Sequence, residues 1–136
     1  MPVLRTALPT VLLAVGLVAA ACGGSEEGGT ISLDGESAND HGTEDVSGET
    51  ALELELDDFY FAPTVLTGTA GQELTLELTN EGGEEHNFSL PDQTIDQDVE
   101  PDGSAQVTVT FPESGTLVFI CKYHDGQGMR GALQTE

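Results

Sequence analysis

Basic residues are almost absent from this 136-residue chain: 3 Lys and Arg face 25 Asp and Glu, giving a formal charge of −22. Nucleic acid and anionic membrane surfaces would repel such a chain, which excludes both as electrostatic partners. Tryptophan is missing and aromatics make up only 5% of the residues, so any core is small. Only two cysteines occur, Cys22 and Cys121, too few for a disulfide-stapled scaffold, and their contexts argue against their pairing. No Walker-type loop, Rossmann glycine pattern or basic patch is found. Beyond Ala51 no stretch of ten or more residues has a 3.6-residue apolar period, which argues against helices there.

What is present divides the chain into three parts. Residues 1–21 read as a lipoprotein-type signal peptide: Arg5 precedes an apolar run from Ala7 to Ala21, and small residues Ala19–Ala21 lead into Cys22. A cysteine at that place resembles the bacterial lipobox, which makes Cys22 the expected lipidation site. An uncleaved membrane helix remains the alternative, since Thr6 to Gly24 carries no charge; the shortness of the apolar run and Pro9 favour cleavage. Either way the remainder is expected to be extracytoplasmic and anchored to the cell membrane.

Residues 22–50 follow as the lipidated Cys and an acidic Gly/Ser linker. Between Gly23 and Thr50 lie seven Gly and eight acids, and Ile31, Leu33 and Val46 are the only large apolar residues. That composition predicts disorder, because it cannot bury enough surface to offset the entropy of ordering. His41, inside it, is read as a solvated residue.

Residues 51–136 carry the expected domain. Leu52, Leu54 and Leu56 alternate with acids, Leu74, Leu76 and Leu78 with Thr and Glu, and Ala105, Val107, Val109 and Phe111 with Gln and Thr. Period two is the pattern of strands with one buried face. Leu117 to Cys121 is continuously apolar, as in a central strand covered on both faces. Turn residues punctuate these segments, which points to an all-β sandwich or barrel.

The chemistry is concentrated near the C-terminus. Cys121, His124 and Met129 lie in one loop after the apolar strand, with Gly126 and Gly128 to let it fold back. A second imidazole is available at His86. Thiolate, imidazole and thioether are soft donors suited to copper, and two His with one Cys and a distant Met form the blue-copper set. Zinc would want more Cys or His ligands. A nucleophilic Cys121–His124 pair has no third group to orient the His, so no enzymatic role is expected.

With these residues the chain resembles the cupredoxin family, the type 1 copper proteins of the plastocyanin and azurin group. The Cys-x2-His-x4-Met spacing, the upstream His86-Asn87 pair, Phe61-Ala62-Pro63, and Gly128-Met129-Arg130-Gly131 carry the resemblance, which spans about Glu53 to Gln134. It implies a Greek-key β-sandwich, one type 1 copper held by His86, Cys121, His124 and Met129, and one-electron transport between redox proteins. It further implies that Asn87 braces the ligand loop by hydrogen bonds, without touching the metal. Tyr123 stands where Pro is common, a departure that bears on the loop's rigidity. The exposed edge of His124 is the expected electron exit, and the protein is expected to be a monomer. A copper-delivery lipoprotein using the same ligands is the alternative function. Lys122 and Arg130, beside the ligands, are expected to relieve the acidity there.

Overall fold

The computed structural model describes residues 28–135. The expected signal segment and Cys22 lie outside them. Among the described residues no helix is long and apolar enough to cross a membrane. The strands are β1 (Gly29–Leu33), β2 (Glu36–Asp40), β3 (Thr43–Asp45), β4 (Ala51–Asp57), β5 (Tyr60–Ala62), β6 (Val65–Gly68), β7 (Glu73–Asn80), β8 (His86–Leu90), β9 (Ile95–Val99), β10 (Ser104–Thr110), β11 (Gly115–Ile120) and β12 (Arg130–Thr135). Four form one sheet in the order β10-β7-β4-β5; six form the other in the order β3-β6-β12-β11-β8-β9. The chain is thus the all-β sandwich that the alternation predicted.

Why these strands pair is legible in their side chains. Leu54 and Leu56 of β4, Leu74, Leu76 and Leu78 of β7 and Val109 of β10 are all fully buried, each from the apolar half of its alternating run. With Phe61 of β5 in the same sheet, they share one core with Phe88 and Phe119 of the other sheet. Phe119 stands edge-on to Phe61 at 5.0 Å between centroids and lies tilted against Phe88 at 4.7 Å, both within the range where aromatic pairs attract beyond area burial. Gly131 on β12 faces this cluster; a Cβ there would strike the Phe119 ring and the Thr64 carbonyl.

The expected disorder of residues 22–50 is corrected for the described part, where Gly29–Asp45 forms three strands. β1 and β2 make a hairpin in register Leu33↔Glu36, closed by Asp34-Gly35 with φ of 55° and 84°. Asp-Gly with both φ positive is the two-residue turn that matches strand twist. Its apolar residues are few but none is wasted. Leu33 and Ala38 pack with Val65 and Ala132, and Ile31 and Val118 join them; Val46 is fully buried in the main core. A short hairpin needs no core of its own when it covers an existing sheet. This also accounts for the continuous apolar run of β11: Phe119 faces the main core while Val118 faces the hairpin.

His41 is likewise not simply solvated: its ring stacks on Tyr60 at 3.4 Å, and its backbone N–H donates to Thr64 Oγ1 at 2.7 Å.

Candidate metal centre

Three turns meet at one end of the sandwich. His86 is the first residue of β8 and is fully buried. Cys121 follows β11, is fully buried and has no disulfide partner among the described residues. The chain then turns: the His124 N–H donates to the Cys121 carbonyl at 3.1 Å, and a 3-10 turn over Asp125–Gln127 follows. Gly128 ends that turn with φ of 85°, a left-handed conformation that Gly adopts without strain. Met129 is thereby returned to the site's end of the sheet: its carbonyl accepts from the Cys121 N–H at 3.0 Å, and its side chain is buried in the same core cluster as Cys121.

One ligating atom from each of His86, Cys121 and His124 lies within 4.8 Å of the others. The two Nδ1 atoms are 3.2 Å apart, and Cys121 Sγ is 3.5 Å from His124 Nδ1. The outer nitrogens are also engaged. His86 Nε2 is 2.7 Å from Asp58 Oδ1, and His124 Nε2 is 3.0 Å from Glu84 Oε2. An ionised carboxylate only accepts, so each Nε2 is placed to donate, and a neutral ring held in that way turns a bare lone pair inward at Nδ1. Two such lone pairs and a sulfur facing one another repel unless a cation stands among them. The donor set, two imidazoles and a thiolate with a thioether nearby, fits a copper ion.

The surroundings hold these groups still. Asn87 Oδ1 accepts from the Lys122 N–H at 3.2 Å, so the residue after His86 is tied to the residue after Cys121. Asn87 Nδ2 donates to Asp96 and Asp98 at 2.7 and 2.9 Å, and Ser89 Oγ donates to Asn87 Oδ1. Burial pushes the Cys121 thiol above its ordinary pKa, while backbone N–H groups of Tyr123, Asn87 and His124 pull it the other way. The Phe59 ring covers His124 at 4.6 Å between centroids.

Tyr123 serves the loop by a different device from the ring of a proline. Its hydroxyl donates to Asp98 Oδ2 at 2.9 Å, and that bond pushes its pKa up to about 12. His124 is less open than an exit edge suggests: its side chain is 12% exposed and Glu84 caps its outer nitrogen. The expected relief of acidity by the two bases is also small. Lys122 Nζ sits 2.9 Å from Asp96 and 3.4 Å from Asp98, and Arg130 lies 2.7 Å from Asp125. Each base is matched locally, so the acidic field runs on across the ligand loop.

Two residues at the site escaped the sequence reading. Asp58 sits in the β4–β5 turn, where its Oδ2 accepts from the Gly83 N–H at 3.0 Å. That bond, and next the one to His86, hold its carboxyl below the usual range against the opposing effect of burial. Glu84 lies in the β7–β8 turn, whose shape is set by Asn80: its Nδ2 donates to the Glu84 carbonyl at 2.8 Å and its Oδ1 accepts from Gly82 at 2.9 Å. No spacing rule singles out either acid in so acidic a chain.

Solved structures similar to this one include copper proteins. Dithionite-reduced auracyanin from the photosynthetic bacterium Roseiflexus castenholzii shares 20% identity at a TM-score of 0.53, over 65% of this chain and 98% of that one. Auracyanin A, described as a "blue" copper protein from Chloroflexus aurantiacus, shares 20% at 0.52, over 64% and 98%. The metal-binding domain of the Streptococcus pneumoniae Cu(I)-exporting P-type ATPase, solved with Cu(I), shares 12% at 0.54, over 68% and 96%. At these identities the likeness is one of fold. A search of curated proteins finds no match. The family model for the cupredoxin-like domain matches residues 17–133, hairpin and sandwich together. By that match the chain belongs to the cupredoxin-like domain family.

Proposed function

We propose that this protein is an extracytoplasmic one-electron carrier, tethered to the membrane through a lipidated Cys22, with one type 1 copper held by His86, Cys121, His124 and Met129. The observation that carries the reading is the convergence of His86, Cys121 and His124 donor atoms within 4.8 Å. Bound copper would supply the one-electron couple. The chain's part is to fix the donors. Asn87 ties the two ligand-bearing segments together, Phe59 shields His124, and the buried Cys121 is kept from water and from oxidation by larger reagents. Donors that barely move between the two charge states keep the barrier to transfer low. Burial of His86 and Cys121 favours retention of the metal over its delivery to another protein.

Redox proteins are the proposed partners, with the protein acting as a monomer and without catalysis of its own. The test is direct. Purified protein loaded with Cu(II) should take up one copper per chain and show an intense thiolate-to-copper charge-transfer band. Cys121→Ser should lose that band, because a hydroxyl is a far weaker electron donor. A band that survives in the Ser variant would show that Cys121 is not a ligand. Metal handed on to an apo acceptor during redox cycling would favour delivery.

A further inference from the structure

Both imidazoles of the centre are held from behind by a carboxylate, and the two carboxylates come from different turns. Asp58 Oδ1 is 2.7 Å from His86 Nε2, and Glu84 Oε2 is 3.0 Å from His124 Nε2. The Asp58 bond is a built feature. Its second oxygen is fixed by the Gly83 N–H. Gly82 faces the same spot: a Cβ there would overlap Asp58 Oδ1 and come within 2.7 Å of His86 Nε2. The Gly82-Gly83 pair thus leaves room for the carboxylate on one side and clamps it on the other. Glu84 is more open, 56% exposed against 33% for Asp58, and its bond is longer.

We infer that Asp58 and Glu84 are positioning residues of the metal centre, holding both imidazoles as the Nε2–H tautomer with Nδ1 turned inward and strengthening them as donors to the higher-charged copper ion. The inference rests on the proposed copper site for its redox consequence, but not for the tautomers. A carboxylate accepting the outer proton of a ligand imidazole fixes the ring's orientation and raises its electron-donating power. A stronger donor favours Cu(II) over Cu(I). Asp58 should act more strongly than Glu84, being nearer, less solvated and clamped.

The test has two arms. In the metal-free full-length protein, nitrogen-15 NMR of the imidazoles should find a proton on Nε2 of His86 and of His124. An Nδ1–H tautomer with bare Nε2 at His86 overturns the inference whether or not copper binds. In the copper-loaded protein, Asp58→Asn should shift the Cu(II)/Cu(I) preference about tenfold toward Cu(I), equivalent to about 59 mV for one electron. Glu84→Gln should shift it less in the same direction. Glu85→Gln removes an equal charge one residue from both Glu84 and His86, and should shift it least. Equal shifts in all three variants would mean that only net charge acts, and would overturn the positioning role. Should Asp58→Asn not fold, the comparison of Glu84→Gln with Glu85→Gln still decides, with Glu84→Asp expected to restore part of the loss.

Discussion

Asn39 joins the N-terminal hairpin to the metal end of the sandwich, and its removal measures what that hairpin contributes. Its Nδ2 donates to the carbonyls of Phe59 and Gln127 at 2.8 and 2.9 Å, and its backbone N–H donates to Gly128 at 2.9 Å. The three acceptors lie on the turn that covers His124 and on the loop that carries Met129. Asn39→Ala deletes the two side-chain bonds and spares the backbone one. A hydrogen bond contributes a net 0.5–1.5 kcal/mol on average, less where water can replace the partner, as at the exposed Gln127 carbonyl. The expected loss is therefore about 1–2 kcal/mol. Asn39→Asp keeps the shape but sets an acceptor against two carbonyls, so it should cost more than Asn39→Ala. Urea unfolding of the metal-free protein, with an unchanged m-value, reads both directly. Faster release of copper to a chelator in both variants would report the slackened ligand loop. A loss below about 0.5 kcal/mol for Asn39→Ala, or an Asp variant no worse than the Ala variant, would refute the view that the hairpin clamps the site.

Met129→Gln should leave copper bound but lower its reduction potential, since an oxygen donor favours Cu(II); an unchanged potential in voltammetry would show that Met129 does not approach the metal. Labelled fatty acid fed to expressing cells should enter the wild-type chain and not Cys22→Ala; label in both would refute lipidation at Cys22. Stopped-flow oxidation by a cationic redox protein should be fast at low salt and slow as salt is added, while an anionic partner behaves oppositely. Flat salt dependence with both would remove the acidic surface from partner choice.

Much of the fold was legible because alternation records burial directly: the leucines of β4 and β7 that alternate with polar residues are those that line the core. The ligand residues were legible because Cys121, His124 and Met129 are local in sequence and chemically uncommon. The hairpin was not, because its segment has the Gly-rich, acidic composition of a linker. Ile31, Leu33 and Val46 are few, yet each finds apolar surface made by residues far along the chain, and only Asp34-Gly35 announced the turn. Asp58 and Glu84 were hidden for the opposite reason. Among 25 acids nothing distinguishes a carboxylate aimed at an imidazole from one aimed at water until the turns are folded.

The order in which the larger sheet is stitched has a consequence for the life history of the molecule. β12, the last strand, lies between β6 and β11, and β6 in turn carries β3 on its other side, both as parallel neighbours. Until Arg130–Thr135 is in place, the early and late strands of that sheet have no common partner and it cannot close. Such distant pairings are slow to form and leave edges exposed meanwhile. Cys121, His124 and Met129 become an ordered loop only with that final strand. Maturation therefore has an order: the sheet is zipped first, and the metal enters a site that no fragment lacking β12 possesses.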